Sequence, residues 1–316
     1  MIVMTDADFA HAVLTGLSQR PRVILARFLY DRRGSELFEQ ITRLPEYYLT
    51  RAEVALLHAH GPEIARLAGH GRALVEFGSG SSAKTPLLLR HVDPAAYVPI
   101  DISDEFLQAS AAALAAMHPG LDVLPVAADF TRPLTLPAAI ARTPKLGFFP
   151  GSTIGNMTPR AAVALLSAFR DTLGVEARLV IGFDVRKSRS VLEPAYNDAA
   201  GITAAFNLNL LHRINRELGG DLPVEAFAHR AVWNEALGRI EMHLVARRNV
   251  AFRIAGRSFH MQAGESIHTE NSYKYTLAEA RLLARAAGWE PHALWTDAHN
   301  LFSLHVWAAT PERMEP

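Results

Sequence analysis

Gly78-Ser79-Gly80 follows directly on the apolar run Ala73–Phe77, and Asp101 closes a second apolar run 23 residues after Gly78 (101 − 78). Two glycines let a backbone turn tightly and approach a ligand closely. A carboxylate at that distance meets ribose hydroxyls in a strand–turn–helix unit of a parallel sheet. Asp129-Phe130 follows a third short apolar stretch, and Pro150-Gly151-Ser152-Thr153-Ile154-Gly155-Asn156 follows a fourth. Parallel strands deliver their carboxyl ends to one edge, so these stretches belong to one crevice. The glycine motif is G-x-G only: Ala83 holds the place of a third glycine, and Lys84 follows. Taken alone, Asp101 would also suit a helix cap or a solvated turn; the company it keeps favours the ribose.

An acid after the second strand and an Asp-aromatic pair after the third resemble the pattern of S-adenosylmethionine (SAM) methyltransferases. The elements that must position these residues alternate. Strands are expected at 73–77, 97–101, 122–126, 145–149 and 178–183, and helices at 84–91, 104–117 and 158–173. That order implies a parallel sheet with right-handed crossovers. Ser81 and Ser82 are suitable caps for the helix near Lys84, and Asn156 suits either a cap for the helix near Thr158 or a ligand contact. A helix starting near Leu277 and strands near 290–296 and 302–309 complete the sheet.

Two further regions lie outside this alternation. Before residue 60, apolar spacing predicts a helix over much of 6–29, a helix capped by Ser35, and a third capped by Thr50 with Glu53 at its capping-box position. This segment is expected to cover the site. Between 187 and 275, a helical stretch to residue 218 precedes alternating strands over 227–261, with Asn234–Arg239 as a hairpin connection. The expected organisation is therefore 1–60 as the helical part of a substrate domain, 61–186 with 276–316 as the core, and 187–275 as an insertion.

Composition narrows the class. The 316 residues carry 32 basic and 32 acidic side chains, which argues against a nucleic-acid or anionic-membrane surface. With no cysteine, disulfides, thiolate nucleophiles and cysteine zinc sites are excluded. No apolar run reaches the roughly 20 residues of a membrane span, and the N-terminus lacks the pattern of a signal peptide. The chain is expected to act as a cytoplasmic monomer. Of the 14 histidines, His58 and His60 stand two apart on a helix, on different faces, and no metal site is expected.

Several separated motifs then point one way. Tyr30-Asp31, Gly34-Ser35, Leu37-Phe38, the run Leu44 to Glu53, Val75 to Gly80, Phe149 to Asn156, Tyr196, Phe206-Asn207, Ile214 to Glu217, Ile240-Glu-Met242, Thr269-Glu270 and Ser272 resemble the histidine-specific SAM-dependent N-alpha-methyltransferases of ergothioneine biosynthesis. The resemblance runs from about residue 20 to the C-terminus. It implies an α/β fold: a Rossmann-like SAM methyltransferase core with a seven-stranded, mostly parallel sheet, plus an α+β substrate-binding domain. It implies SAM as cofactor, held by Gly78, Lys84, Asp101, Asp129 and Phe130. It implies L-histidine as substrate, with Asn156 and Tyr196 on the carboxylate and Tyr47, Glu270 and Ser272 on the imidazole. Met242 would line the side-chain pocket; Tyr30, Gly151 and Thr153 would lie near the amine as the catalytic group. Asn271 and Tyr273 depart from the family pattern, which has smaller or apolar neighbours there.

The implied reaction adds three methyl groups to the α-amine, giving trimethylhistidine (hercynine). Two other readings use the same residues: a relative acting on another amino acid, and a SAM-binding protein without catalysis. Taken alone, Tyr47 suits core packing, and Glu270 suits a surface pair with Lys274.

Overall fold

The protein is described by a computed structural model covering residues 6–80, 84–132 and 134–310. The expected caps Ser81 and Ser82 lie outside the described residues. The chain divides into two compact units. One comprises Leu49–Arg186 and the chain from Tyr273 onward; the other comprises the chain before Leu49 and Lys187–Ser272.

The first unit is built on a seven-stranded sheet. Its order is Trp289–Thr296, Phe302–Ala309, Arg178–Asp184, Lys145–Phe149, Ala73–Phe77, Ala96–Asp101, Val126–Ala127. The last five strands run parallel, and the terminal hairpin is antiparallel. Ala73–Phe77 is buried along its whole length, as its mostly apolar composition requires, and its one acid, Glu76, is buried with it. It pairs with Ala96–Asp101 on one side and Lys145–Phe149 on the other. The strand order reverses at this point, where open α/β sheets bind their ligands. The helix Pro159–Leu173 presses Phe169 flat against Phe77, ring centroids 3.7 Å apart. The third strand is shorter than expected: Val126–Ala127 pairs in register, and Val123 makes only an isolated bridge to Tyr97.

The sequence placed the helix that contains Glu53 with the N-terminal segment. It runs Tyr48–Ala68, and its residues from Leu49 onward belong to the sheet unit. Thr50 therefore lies inside this helix, and Glu53 is not part of a capping box. The cap of Pro159–Leu173 is Thr158, whose hydroxyl accepts from the Ala161 amide; Asn156 does not cap it.

The second unit holds a four-stranded sheet in the order Arg22–Val23, Ser266–Tyr273, Arg239–Ala246, Phe227–Asn234, with the helix Ile202–Leu218 beside it. Period-two alternation buries Ile240, Met242, Leu244 and Ala246 on one face. Val250–Ile254 and Arg257–Met261 form a separate two-stranded hairpin. The helical stretch expected after residue 187 is broken into short turns at Arg189–Leu192 and Pro194–Tyr196 before the long helix begins.

Near the N-terminus, the helix after Tyr30 is Arg32–Ile41, capped by Asp31 rather than Ser35. Asp31 Oδ1 accepts from the Gly34 amide at 2.8 Å and from Asn209 Nδ2 at 2.7 Å, and Oδ2 accepts from Arg216 at 2.6 Å. One carboxylate thus caps its own helix and ties it to Ile202–Leu218. Gly34 has no alternative, because a Cβ there would strike the Leu29 carbonyl. Among the described residues, no helix is long and apolar enough to cross a membrane.

Candidate active site

At the carboxyl edge of the sheet unit, Gly78 and Gly80 both adopt positive φ, +74° and +50°. Glycine takes this conformation without steric cost. The amides of Gly78 and Ser79 donate to the Ile100 carbonyl at 2.8 and 3.0 Å, pinning the turn to the neighbouring strand. Asp101 Oδ2 accepts from the Gly80 amide at 2.9 Å, and Oδ1 accepts from the Ser103 amide at 3.0 Å. Burial pushes the Asp101 carboxyl upward, against these backbone bonds. Phe130 lies against Gly78, where a Cβ would stand 3.3 Å from its ring. The Phe130 ring is held edge-on by Phe149 at 5.6 Å. Asp129 Oδ1 accepts from the Thr131 amide and hydroxyl, a local turn that fixes the carboxylate beside Phe130. Among the described residues, nothing lies within 4 Å of a Cβ built on Gly80. The unit thus offers a turn of open backbone, an aromatic wall and an acid at the next strand's end. That arrangement fits an adenosine ligand.

Lys84 and the Gly151 turn meet through Glu53. Glu53 is fully buried. Its carboxylate accepts from the Gly151 amide at 3.0 and 2.9 Å and pairs with Lys84 Nζ. Gly151 has φ +78° and Ser152 +57°, a conformation seldom taken by a residue with a side chain. Ser152 is held there by its hydroxyl, which accepts from the Asp184 amide at 2.9 Å. Thr153 closes the turn onto the Pro150 carbonyl at 3.0 Å. Asn156 ends the 3-10 turn that follows, half-buried. The nearby Glu76 is buried too. Desolvation raises its carboxyl to about 7, while the Thr85 and Tyr97 hydroxyls donate to it.

The second unit gathers the aromatic residues. Tyr47 and Tyr196 are buried and meet edge-on at 6.2 Å. The Tyr196 hydroxyl shares a 2.8 Å hydrogen bond with Ser272 Oγ. Tyr30 sits edge-on to Phe38 at 5.5 Å and to Phe206 at 5.4 Å. Glu270 and Ser272 share the strand Ser266–Tyr273, whose in–out alternation breaks at Glu270-Asn271. Met242 lies buried on the adjacent strand, its carbonyl accepting from Thr269 at 3.1 Å. Lys274 is not on the surface: it forms a fully buried ion pair with Asp184 at 2.6 Å.

Comparisons with known proteins bear on this geometry. A family profile described as histidine-specific, SAM-dependent methyltransferase matches residues 9–309. The chain belongs to that family. Histidine N-alpha-methyltransferase of Mycolicibacterium smegmatis is 40% identical over 300 residues, covering 93% of this chain and 92% of the relative. The Mycobacterium tuberculosis protein of the same name is 40% identical over 301 residues, with the same coverage of 93% and 92%. The magnesium protoporphyrin IX methyltransferase of Synechocystis PCC 6803 shares the fold: TM-score 0.51 at 11% identity, covering 90% of this chain and 98% of that one. Membership of this family makes the chain a SAM-dependent methyltransferase and accounts for the α/β architecture.

Among the described residues, no group of three or more histidines and acids is placed to hold a metal ion. His60 instead stacks on Trp295 at 5.1 Å. Glu53 could not be assigned from sequence, because its partners lie 31 and 98 residues away. Its one signal is a carboxylate inside the motif shared with the family.

Proposed function

We propose that this protein transfers methyl groups from SAM to the α-amine of L-histidine, in three successive steps ending at trimethylhistidine. The observation that carries this reading is kinship along almost the whole chain with two histidine N-alpha-methyltransferases.

SAM, when bound, supplies a methyl group on a sulfonium sulfur, activated for in-line displacement. The Gly78–Gly80 turn, Asp101, Asp129 and Phe130 form its cradle, and Lys84 offers an ammonium to its carboxylate end. Asp101 accepts from the ribose hydroxyls, its orientation already fixed by the Gly80 and Ser103 amides. Because the leaving group is neutral and good, positioning supplies most of the catalysis.

Asn156 and Tyr196 donate to the substrate carboxylate. A hydroxyl accepts and donates at once. The Tyr196 oxygen can therefore accept from the Ser272 hydroxyl while its own O–H donates to a carboxylate, or its O–H can donate to Ser272. Glu270 and Ser272, with Tyr47, address the imidazole; Met242 lines the side-chain pocket. A buried carboxylate facing an imidazole N–H makes a charge-assisted bond that an apolar side chain cannot replace. Tyr30 and the Gly151–Thr153 turn orient the amine, which must shed a proton before each transfer. The third transfer leaves a quaternary nitrogen without a lone pair, which ends the sequence.

The test is mass spectrometry of each amino acid after incubation with SAM and the protein. Histidine should gain one, two and finally three methyl groups. Unmodified histidine, or equal methylation of phenylalanine and tryptophan, would overturn the reading.

A further inference from the structure

Tyr196 lies on a short 3-10 turn, Pro194–Tyr196, beside the edge strand Phe227–Asn234. An edge strand presents unpaired amides and carbonyls. Here side chains from the turn supply the missing partners. Asn197 Oδ1 accepts from the Ala231 amide at 3.0 Å, and its Nδ2 donates to the Ala231 carbonyl at 2.9 Å. Glu193 Oε1 accepts from the Trp233 amide at 2.9 Å. These three bonds fasten the residues on either side of Tyr196.

The Tyr196 backbone has its own tie. His229 Nε2 lies 2.8 Å from the Tyr196 carbonyl. A carbonyl can only accept, so Nε2 carries the proton. His229 Nδ1 is then an acceptor, and Asn207 Nδ2 stands 3.0 Å from it. The same Asn207 amide donates to the His243 carbonyl at 3.2 Å on the next strand. Asn207 is fully buried in the helix Ile202–Leu218, so the imidazole is gripped from a rigid element. The chain of bonds runs Asn207, His229, Tyr196 carbonyl, and from the far end of the same residue to Ser272. Burial holds the His229 pKa below its ordinary value, which keeps the neutral form this chain requires.

We infer that His229, backed by Asn207, is a positioning residue that sets the Tyr196 hydroxyl in place to receive the substrate carboxylate. This rests on the assignment of Tyr196 to that carboxylate. His229 touches neither substrate nor cofactor; it acts through Tyr196. Losing it leaves Asn197 and Glu193 holding the turn, so the fold persists while Tyr196 loses its anchor. A group displaced by about 1 Å through a distant substitution can cost about a hundredfold, and a group that only binds substrate registers that loss in KM.

The experiment is steady-state kinetics with histidine for His229→Ala, His229→Gln and Tyr196→Phe, with SAM affinity and melting temperature measured for each. Gln places an amide donor near the position of imidazole Nε2; Ala does not. His229→Ala should raise the histidine KM about tenfold to a hundredfold with a much smaller change in kcat and no change in SAM affinity. His229→Gln should recover most of that loss. A merely structural role would lower melting temperature and shift both constants together, without rescue by Gln. Should His229→Ala fail to fold, His229→Asn, whose amide is too short to reach the Tyr196 carbonyl, carries the same comparison. A raised KM in Tyr196→Phe with none in the Ala or Asn variant refutes the inference alone. An unchanged KM in Tyr196→Phe refutes the assignment of Tyr196, and this inference with it.

Discussion

The Glu53 carboxylate occupies space that only a glycine at 182 leaves open. A Cβ on Gly182 would collide with Glu53 Oε1 and would stand 2.7 Å from the Phe302 ring. The carboxylate beneath it holds the Gly151 amide and Lys84. The absence of one methyl group in a buried strand is thus a condition for the turn that follows the fourth strand.

Gly182→Ala should therefore destabilise the protein by at least about 1–3 kcal/mol, the usual cost of overpacking a core. Neither neighbour can swing aside cheaply, since one is a ring and the other a bonded, buried carboxylate. Denaturant unfolding measures the change. A variant as stable as the parent would show that Glu53 can move without consequence.

Glu76 gives a pH signature. Its carboxyl is raised from an ordinary 4.5 to about 7, chiefly by burial. Between those values the folded state keeps a proton that the unfolded state has released. Its contribution to stability is complete below about pH 4.5 and is lost as pH rises through about 7. Glu76→Gln retains an oxygen to accept from Thr85 and Tyr97 but cannot ionise. Relative to the parent, it should gain up to about 3 kcal/mol between pH 5 and pH 8. Melting temperatures at the two pH values decide it; a difference independent of pH would show that Glu76 does not titrate in this range.

Asp101→Ala should weaken SAM binding about tenfold to a hundredfold, the loss expected for a charge-assisted bond. The sheet should survive, because Asp101 stands at a strand end and its bonds go to the loop. Calorimetric titration with SAM, beside a circular dichroism spectrum, measures both. Unchanged affinity would remove Asp101 from the ribose.

Selectivity should respond to Glu270. Replacing it with Ala should weaken histidine, by roughly 1.5–3 kcal/mol for a bond to a charged group. Phenylalanine and tryptophan should improve relative to histidine, since they no longer strand a buried charge. The check is kcat/KM for all three substrates with parent and variant at one pH. Equal loss on every substrate would make Glu270 structural.

Sequence alone determined what is written locally. Ala73 to Gly80 is a strand running into glycines at positive φ, and Asp101 ends the next strand; backbone chemistry and spacing specify both. Apolar periodicity likewise announced the helices between the sheet strands and the terminal hairpin, but not the breaks after Ser18 and Leu192. Cap positions were less legible. Ser35 and Thr50 carry the right side chains, yet the neighbouring Asp31 takes the amide of one helix, and the other helix begins at Tyr48, before Thr50.

Tertiary structure alone decided which side chains meet. Glu53, Lys84, Gly151 and Gly182 come from four separate elements, and the order of the sheet brings them together. Lys274, whose spacing suits a surface pair, is instead fully buried against Asp184, a residue distant in the chain. His229 gives no local sign of its role: its two ring nitrogens are claimed by Asn207 and Tyr196, 22 and 33 residues away. A backbone conformation depends on a few adjacent residues, whereas a buried polar side chain takes whichever partner the packing places within about 3 Å.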